Sequence, residues 1–331
     1  MKSIPRLRIA QLPTPVEAMP RLSMTLGGPS LLVKRDDQTG LAMGGNKTRK
    51  LEFLLAEAEA NGAKTLITAG ALQSNHCRQT AAAAARHGFG CILVLYSPTS
   101  QIGSGTGSPT ISANLLLDQL FGAQIIRTKH EQRDQILKDT FQAAWDTGKR
   151  PYLIPYGGSN TTGAASYAFA MQEMIAQDVH PDWIVFPSSS GGTQAGLALG
   201  ARLFGYSGRV LGISVDEEAN VLQQRVAQLA TQTSDLLGEK LIFADEDILV
   251  NADYLGSGYG VMGDGEREAI GLFARQEGLL LDPVYTGRAA AGMIDLVRKG
   301  YFRPGETVMF WHTGGTTALF ADQYRADLSQ N

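Results

Sequence analysis

Thr65–Gly88 reads TLITAGALQSNHCRQTAAAAARHG. Its first four residues are β-branched or apolar and suit a pleated strand. Ala69-Gly70 supplies a tight turn. Ser74 can then cap an alanine-rich helix that runs to about Arg86, where Gly88 can end it. Strand, small-residue turn and capped helix form one phrase, and the chain repeats it. Cys91 to Tyr96 is a strand, followed by a helix around Ile111–Phe121 and a strand at Gln124–Arg127. Tyr152-Leu153-Ile154 precedes Gly157-Gly158, and Trp183–Phe186 precedes Gly191-Gly192. Val210–Ser214 is another strand, and Thr307–Trp311 precedes Gly314-Gly315. Short apolar strands alternating with helices specify parallel sheets covered on both faces.

So many units overfill one sheet. The expected fold class is therefore α/β, with two interleaved open parallel-sheet domains and a cleft between them. No Pro/Ser-rich linker marks a boundary. We expect residues 1–46 and 155–331 to form the larger unit and 47–154 the smaller α/β unit. The stretch QIGSGTGSP at Gln101–Pro109 reads as a mobile loop rather than a linker.

With 331 residues, 44% hydrophobic and 18% charged, the chain has a globular balance. A formal net charge of −3, without a basic run interleaved with aromatics, points away from nucleic acid. No apolar run approaches the roughly 20 residues that span a bilayer. The N-terminal MKSIPRLRIAQLPTP lacks a signal peptide's apolar stretch, so the cytoplasm is the expected location. Cys77 and Cys91 are the only cysteines; they make no disulfide framework, and no Cys/His cluster has zinc spacing.

Chemistry concentrates in a few segments. In GGNKTRKLE (Gly44–Glu52), Leu51, Leu54, Leu55 and Ala58 recur at helical spacing, which puts Lys47 in the first turn. There a cation opposes the helix dipole and has reason to lose its proton, as Schiff-base chemistry requires. By itself the segment reads more readily as a solvated lysine after an ordinary loop, since lysines in first turns are common. Ser188-Ser189-Ser190-Gly191-Gly192-Thr193 joins a strand to an Ala/Leu-rich helix. Its backbone N–H groups, hydroxyls and helix N-terminus suit a phosphate, though it is neither a P-loop nor G-x-G-x-x-G. Gln73-Ser74-Asn75-His76 opens a helix that could hold a carboxylate, or could simply be an N-cap. Tyr254, Tyr259 and Tyr285 lie near Gly- or Pro-rich turns, and Thr313-Gly314-Gly315 follows the last strand. Unaided, these segments describe an α/β protein for a small phosphorylated ligand and leave the reaction open.

Taken together and in order, GGNKTRKLE, QSNH (Gln73–His76), SGGT (Ser190–Thr193), LDPVYTG (Leu281–Gly287) and HTGG (His312–Gly315) resemble the D-cysteine desulfhydrase / 1-aminocyclopropane-1-carboxylate deaminase family. These are fold-type-II pyridoxal-phosphate enzymes related to the tryptophan synthase β subunit. The resemblance runs from about Pro13 to Phe320 and implies pyridoxal 5'-phosphate as cofactor. Lys47 then matches the lysine that carries it, with Asn46 beside it. Ser189, Ser190, Gly191, Gly192 and Thr193 match the phosphate loop. Asn75 matches the residue near the phenolic oxygen, and Ser74 the one near substrate, with Gln73 and His76 flanking. Tyr259 and Tyr285 match two active-site tyrosines, one of which stacks on the ring. Thr286 is placed at the cofactor, and Thr313 at the pyridine nitrogen.

The deaminases are expected to carry Glu after the DPVY tyrosine and Gln after Ser-Asn; here Thr286 and His76 stand. A carboxylate would keep the pyridine nitrogen protonated and deepen the electron sink. Thr286 therefore favours β-elimination of a good leaving group. D-Cysteine is the expected small amino-acid substrate, giving hydrogen sulfide, pyruvate and ammonia. L-Cysteate with sulfite release is the alternative, cyclopropane deamination a weaker one, and a non-catalytic pyridoxal-phosphate carrier a reading of another class. Arg288 departs from the lysine expected in YTGK. Related enzymes are commonly homodimers, and the same is expected here.

Overall fold

The computed structural model describes residues 2–97 and 111–328, so the Gln101–Pro109 stretch lies outside the described residues. Two sheets organise the chain. The strands are β1 (Val16–Ala18), β2 (Ser30–Lys34), β3 (Thr65–Ala71), β4 (Gly90–Ser97), β5 (Gln124–Lys129), β6 (Pro151–Leu153), β7 (Trp183–Ser188), β8 (Arg209–Ser214), β9 (Leu249–Asn251) and β10 (Thr307–Trp311). The six-stranded sheet has the order β1-β2-β10-β7-β8-β9, and the four-stranded sheet β5-β4-β3-β6. Every pairing is parallel except β1 against β2.

The helices are α1 (Pro20–Leu26), α2 (Asn46–Ala60), α3 (Asn75–His87), α4 (Ala113–Leu120), α5 (Arg133–Asp146), α6 (Thr161–Ala176), α7 (Gly192–Leu203), α8 (Ala219–Leu236), α9 (Asp264–Glu277), α10 (Thr286–Arg298) and α11 (Asp322–Leu328). They cover both faces of each sheet, and the strands are accordingly apolar on both sides. In the larger sheet Val185, Val308 and Phe310 pack with Phe273, Ala290 and Met293 of α9 and α10. Their neighbours Ile184, Phe186, Met309 and Trp311 point the other way, onto Tyr167, Met171 and Met174 of α6 and Leu197 of α7. The smaller sheet repeats the alternation. Leu66, Leu93 and Leu95 meet α2 and α3, while Ile67, Ile92 and Val94 meet α5.

Helix α2 lies between the two sheets. Leu51, Leu54, Leu55 and Ala58 join the smaller sheet's core, and Phe53 stacks on Phe169 of α6 with ring centroids 5.5 Å apart. Its polar residues are buried as well, and they are paired. Arg49 donates to both oxygens of Asp36 and both of Glu173, and Lys34 donates to Glu173 at 2.7 Å. Tyr167 adds a 2.6 Å hydrogen bond to Asp36. Glu52 accepts from the backbone N–H groups of Ile9 and Ala10, each at 2.8 Å. Removing one partner from such a network would strand a buried charge, so α2 is held in a fixed register. Lys47 lies within this anchored first turn.

Candidate active site

The carboxyl ends of β3, β4, β7 and β8 face one cleft, where an α/β sheet presents its ligand-binding turns. The cleft contains a cavity of about 940 Å³. Lys47, Asn46, Ser74, Asn75, His76, Ser189, Ser190, Gly191, Thr193, Tyr259, Tyr285 and Thr313 all line it. Segments far apart in the chain, from Asn46 to Gly314, thus meet at one place.

Lys47 is partly open to the cavity but closely surrounded by protein. Desolvation alone pulls its amine down to about 8, so an appreciable fraction is neutral near neutral pH. The lysine one turn further on went unnoticed in the sequence. Lys50 is 1% exposed and donates to the Gly157 carbonyl at 3.0 Å and to Ser159 Oγ at 3.1 Å. Burial, and then repulsion from Lys47, lower its pKa well below the ordinary lysine value.

Ser159 links Lys50 to the turn after β7. Its Oγ lies 2.8 Å from Ser190 Oγ and accepts from the Gly192 N–H at 3.2 Å. Two glycines hold this cradle open. A Cβ on Gly192 would lie 2.5 Å from Ser159 Oγ and 3.0 Å from Lys50 Nζ. A Cβ on Gly157, whose φ is +62°, would collide with Ser190 Oγ and approach Lys47 Nζ to 3.5 Å. Asn46 Nδ2 donates to Thr193 Oγ1 at 3.1 Å, tying α2 to α7. Hydroxyls, backbone N–H groups, a helix N-terminus and a buried cation therefore converge beside a neutralisable lysine. That donor set fits the phosphate and aldehyde ends of pyridoxal phosphate.

At the second turn Ser74 caps α3, accepting from the Cys77 N–H at 3.2 Å. His76 Nε2 lies 2.9 Å from Thr68 Oγ1, whose own proton goes to the Ile154 carbonyl. Nε2 must then be the donor, which leaves Nδ1 bare, and Nδ1 has no partner among the described residues. Burial, with Lys47 and Lys50 nearby, depresses its pKa strongly and keeps the ring neutral.

Tyr259 and Tyr285 hydroxyls are 2.6 Å apart, with the rings edge to face. Desolvation raises both phenols, so both keep their protons at neutral pH. Arg288 braces the loop that carries Tyr259. Its Nη2 donates to the Gly258 and Val261 carbonyls, Nη1 to the Val215 carbonyl, and Nε to Glu266. A lysine has no such fork.

Three sequence-predicted residues do not line the cavity. Gln73 is spent on α4, accepting from the Asn114 N–H and donating to the Ser112 carbonyl. Gly192 lies behind the cradle. Thr286 Oγ1 donates to Asp282 Oδ1 and accepts from the Asp282 N–H, both at 2.7 Å, and is fully buried. The expected contact of Thr286 with the cofactor is therefore replaced by a local one, because the Asp282 carboxylate caps the start of α10. Tyr254 is also elsewhere, bonded to Asp295 at 2.7 Å. Conversely, the cavity mouth holds residues not singled out in sequence. Arg133 stands over Tyr96 and Tyr156, 5.4 Å from each ring, and Asp216 accepts from Ser189 Oγ at 2.8 Å.

The profile of the pyridoxal-phosphate dependent enzyme family matches residues 7–314. The chain belongs to that family. It is 43% identical over 324 residues to the D-cysteine desulfhydrases of Salmonella typhi and Salmonella choleraesuis (strain SC-B67), with 96% of each chain covered. A crystal structure described as an ACC deaminase homologue superposes with a TM-score of 0.88 at 34% identity, covering 99% of this chain and 96% of that one. Threonine deaminase isoform 2 from Solanum lycopersicum shares the fold, with a TM-score of 0.67 at 16% identity over 98% of this chain and 88% of its own. The expected α/β class with two parallel-sheet units and a pyridoxal-phosphate cofactor agrees with all of these. No helix of the described residues is long and apolar enough to cross a membrane.

Proposed function

We propose that this enzyme is a carbon–sulfur lyase that converts D-cysteine to hydrogen sulfide, pyruvate and ammonia. The observation that carries the proposal is the near-full-length 43% identity to D-cysteine desulfhydrases. The geometry supports it at the positions that matter for elimination. Pyridoxal phosphate, when bound, supplies the electron sink that makes a proton on the substrate Cα removable.

We assign the protein's part as follows. Lys47 would carry the cofactor, and once the substrate amine has displaced it, the freed Lys47 amine, which burial favours in its neutral form, would take the Cα proton. Ser74, Asn75 and the N-terminus of α3, which line the cavity, would hold the substrate carboxylate, and Asn75 would also donate to the ring oxygen of the bound cofactor. Gly191, Gly192, Thr193, Ser190 and Lys50 hold the phosphate. Tyr259 and Tyr285 remain protonated and hydrogen-bonded, so they serve as donors to the sulfur leaving Cβ rather than as bases. With Thr286 committed to Asp282, the hydroxyl we assign to the pyridine nitrogen is that of Thr313, which lines the cavity and is no proton-holding carboxylate.

Residues 1–46 with 155–331 act as the larger, cofactor-holding unit and 47–154 as the smaller one. The enzyme works in the cytoplasm as a homodimer. The test is product analysis of the holoenzyme with D-cysteine, L-cysteine, L-cysteate and 1-aminocyclopropane-1-carboxylate. Sulfide and pyruvate from D-cysteine are expected. Sulfite from L-cysteate, or 2-oxobutyrate, without sulfide from D-cysteine would reject the proposal.

A further inference from the structure

Arg78 lies one turn into α3, and its side chain is wholly buried. Its Nη1 donates to Asn75 Oδ1 at 2.7 Å, Asn114 Oδ1 at 2.6 Å and Thr317 Oγ1 at 3.0 Å, and Nη2 donates to the Gly44 carbonyl at 3.0 Å. One guanidinium thus touches α3, α4, the loop before Lys47 and the loop after Thr313. No carboxylate forms an ion pair with it among the described residues, and its Nε has no partner. Burial lowers its pKa to about 10, which leaves it charged at neutral pH. A buried cation held without an ion pair is costly, and such groups cluster at functional sites.

What the cation does is visible at Asn75. The Asn75 Oδ1 accepts from Arg78 Nη1 and, at 3.1 Å, from Asn114 Nδ2, which together fill its two lone pairs. Asn114 is itself fixed, because its Nδ2 also donates to the Gln73 carbonyl at 2.8 Å and its backbone N–H to Gln73 Oε1. Arginine carries no acceptor, so the Asn75 amide cannot be turned around. Its Nδ2 has no partner among the described residues, and Asn75 lines the cavity. A cation on the carbonyl side also polarises the amide and strengthens Nδ2 as a donor.

We propose that Arg78, with Asn114, is a positioning residue that fixes the Asn75 amide so that its N–H donates to the ring oxygen of the bound cofactor. This rests on the placement of Asn75 proposed above, and the two claims fail differently. The experiment is a double-mutant cycle on the holoenzyme, reading the pyridoxal-phosphate dissociation constant and the position of its visible band. Asn75→Ala should weaken cofactor binding about tenfold, as for a lost hydrogen bond to a charged group. Arg78→Gln should do so by a similar factor and move the band in the same direction. The double variant should be no worse than the weaker-binding single variant.

Multiplying factors, or an unmoved band in Arg78→Gln while Asn75→Ala moves it, would show that Arg78 merely holds the fold. No effect from Asn75→Ala would overturn the placement of Asn75, and this inference with it. If Arg78→Gln yields no folded protein, Asn114→Asp replaces it. That variant keeps an acceptor for Arg78 but sets an oxygen against Asn75 Oδ1. It should weaken binding with the same non-additivity, and multiplying factors would again reject the role.

Discussion

Two strand-to-helix turns face each other across the cavity, one from β7 to α7 and one from β3 to α3. They share a topology and differ in the groups they present to the cavity. The β7–α7 turn works through small residues: Gly191 lines the cavity, the Gly192 N–H ties the turn to Ser159 Oγ, serines add hydroxyls, and Lys50 stands behind as a buried cation. Such a site reads charge and tolerates little added bulk. The β3–α3 turn works through oriented side chains. Ser74 caps its helix, His76 is held in one tautomer by Thr68, and Asn75 is held in one amide orientation by Arg78 and Asn114. Such a site reads direction. The same supersecondary phrase therefore supplies an anion cradle on one side and a set of aimed donors and acceptors on the other.

The contrast can be broken from either side. Lys47→Ala should have the largest effect: turnover falls by about a thousandfold or more, as expected when a covalent catalytic group is deleted. The visible band near about 410–420 nm, expected for a lysine–pyridoxal linkage, should vanish. On the cradle side, Gly192→Ala pushes a methyl against Ser159 and Lys50. It should weaken pyridoxal-phosphate binding by about tenfold to a hundredfold, measured by dialysis and reconstitution, while KM for D-cysteine in the loaded enzyme changes little. On the directional side, Ser74→Ala should show the opposite split, with KM raised about tenfold and the cofactor retained. If both variants lose cofactor equally, the two turns do not divide the work as described.

Two smaller effects sharpen the comparison. Arg288→Lys loses the fork that holds the Tyr259 loop. It should lower kcat about tenfold with cofactor affinity unchanged. The mildest effect is one of pH. Lys47 in the cofactor-free enzyme is depressed to about 8 by burial, and only its neutral amine can join the aldehyde. Reconstitution should therefore quicken as pH rises toward 8 and level off above it. The same depression adds a stability term that is absent well below pH 8 and grows as pH rises through 8 toward 10.5. In that window the unfolded lysine holds its proton and the folded one does not. Reconstitution rates followed by absorbance from pH 6.5 to 9.5 check the first statement, and apoenzyme melting over the same range checks the second.

The sequence was most informative where function rests on backbone. The β-branched runs, glycine turns and Ala/Leu helices marked the strands, the cap at Ser74 and the β7–α7 cradle, because local conformation dictates those residue types. The role of Lys47 came from the resemblance, while its place in a helical first turn was legible. Side chains that reach across the fold were not. Lys50 carried no reading of its own, although it shares the stripe of Leu54 and Ala58 at four-residue spacing, and that was the available signal. Arg78 and Arg133 gave no such sign, since most of their partners are distant in the chain: Gly44, Asn114 and Thr317 for Arg78, Tyr96 and Tyr156 for Arg133. The direction of the Thr286 hydroxyl was hidden for a related reason, since it depends on Asp282 closing the turn.

Lys47 and Lys50 are both closely surrounded by protein, both depressed in pKa and one helical turn apart, so the decisive question is which of them carries the cofactor. The most direct measurement is borohydride reduction of the holoenzyme followed by peptide mass mapping. A pyridoxyl adduct on Lys47, with Lys50 unmodified, is the predicted result. An adduct on Lys50, or none in the Gly44–Glu52 segment, would contradict it.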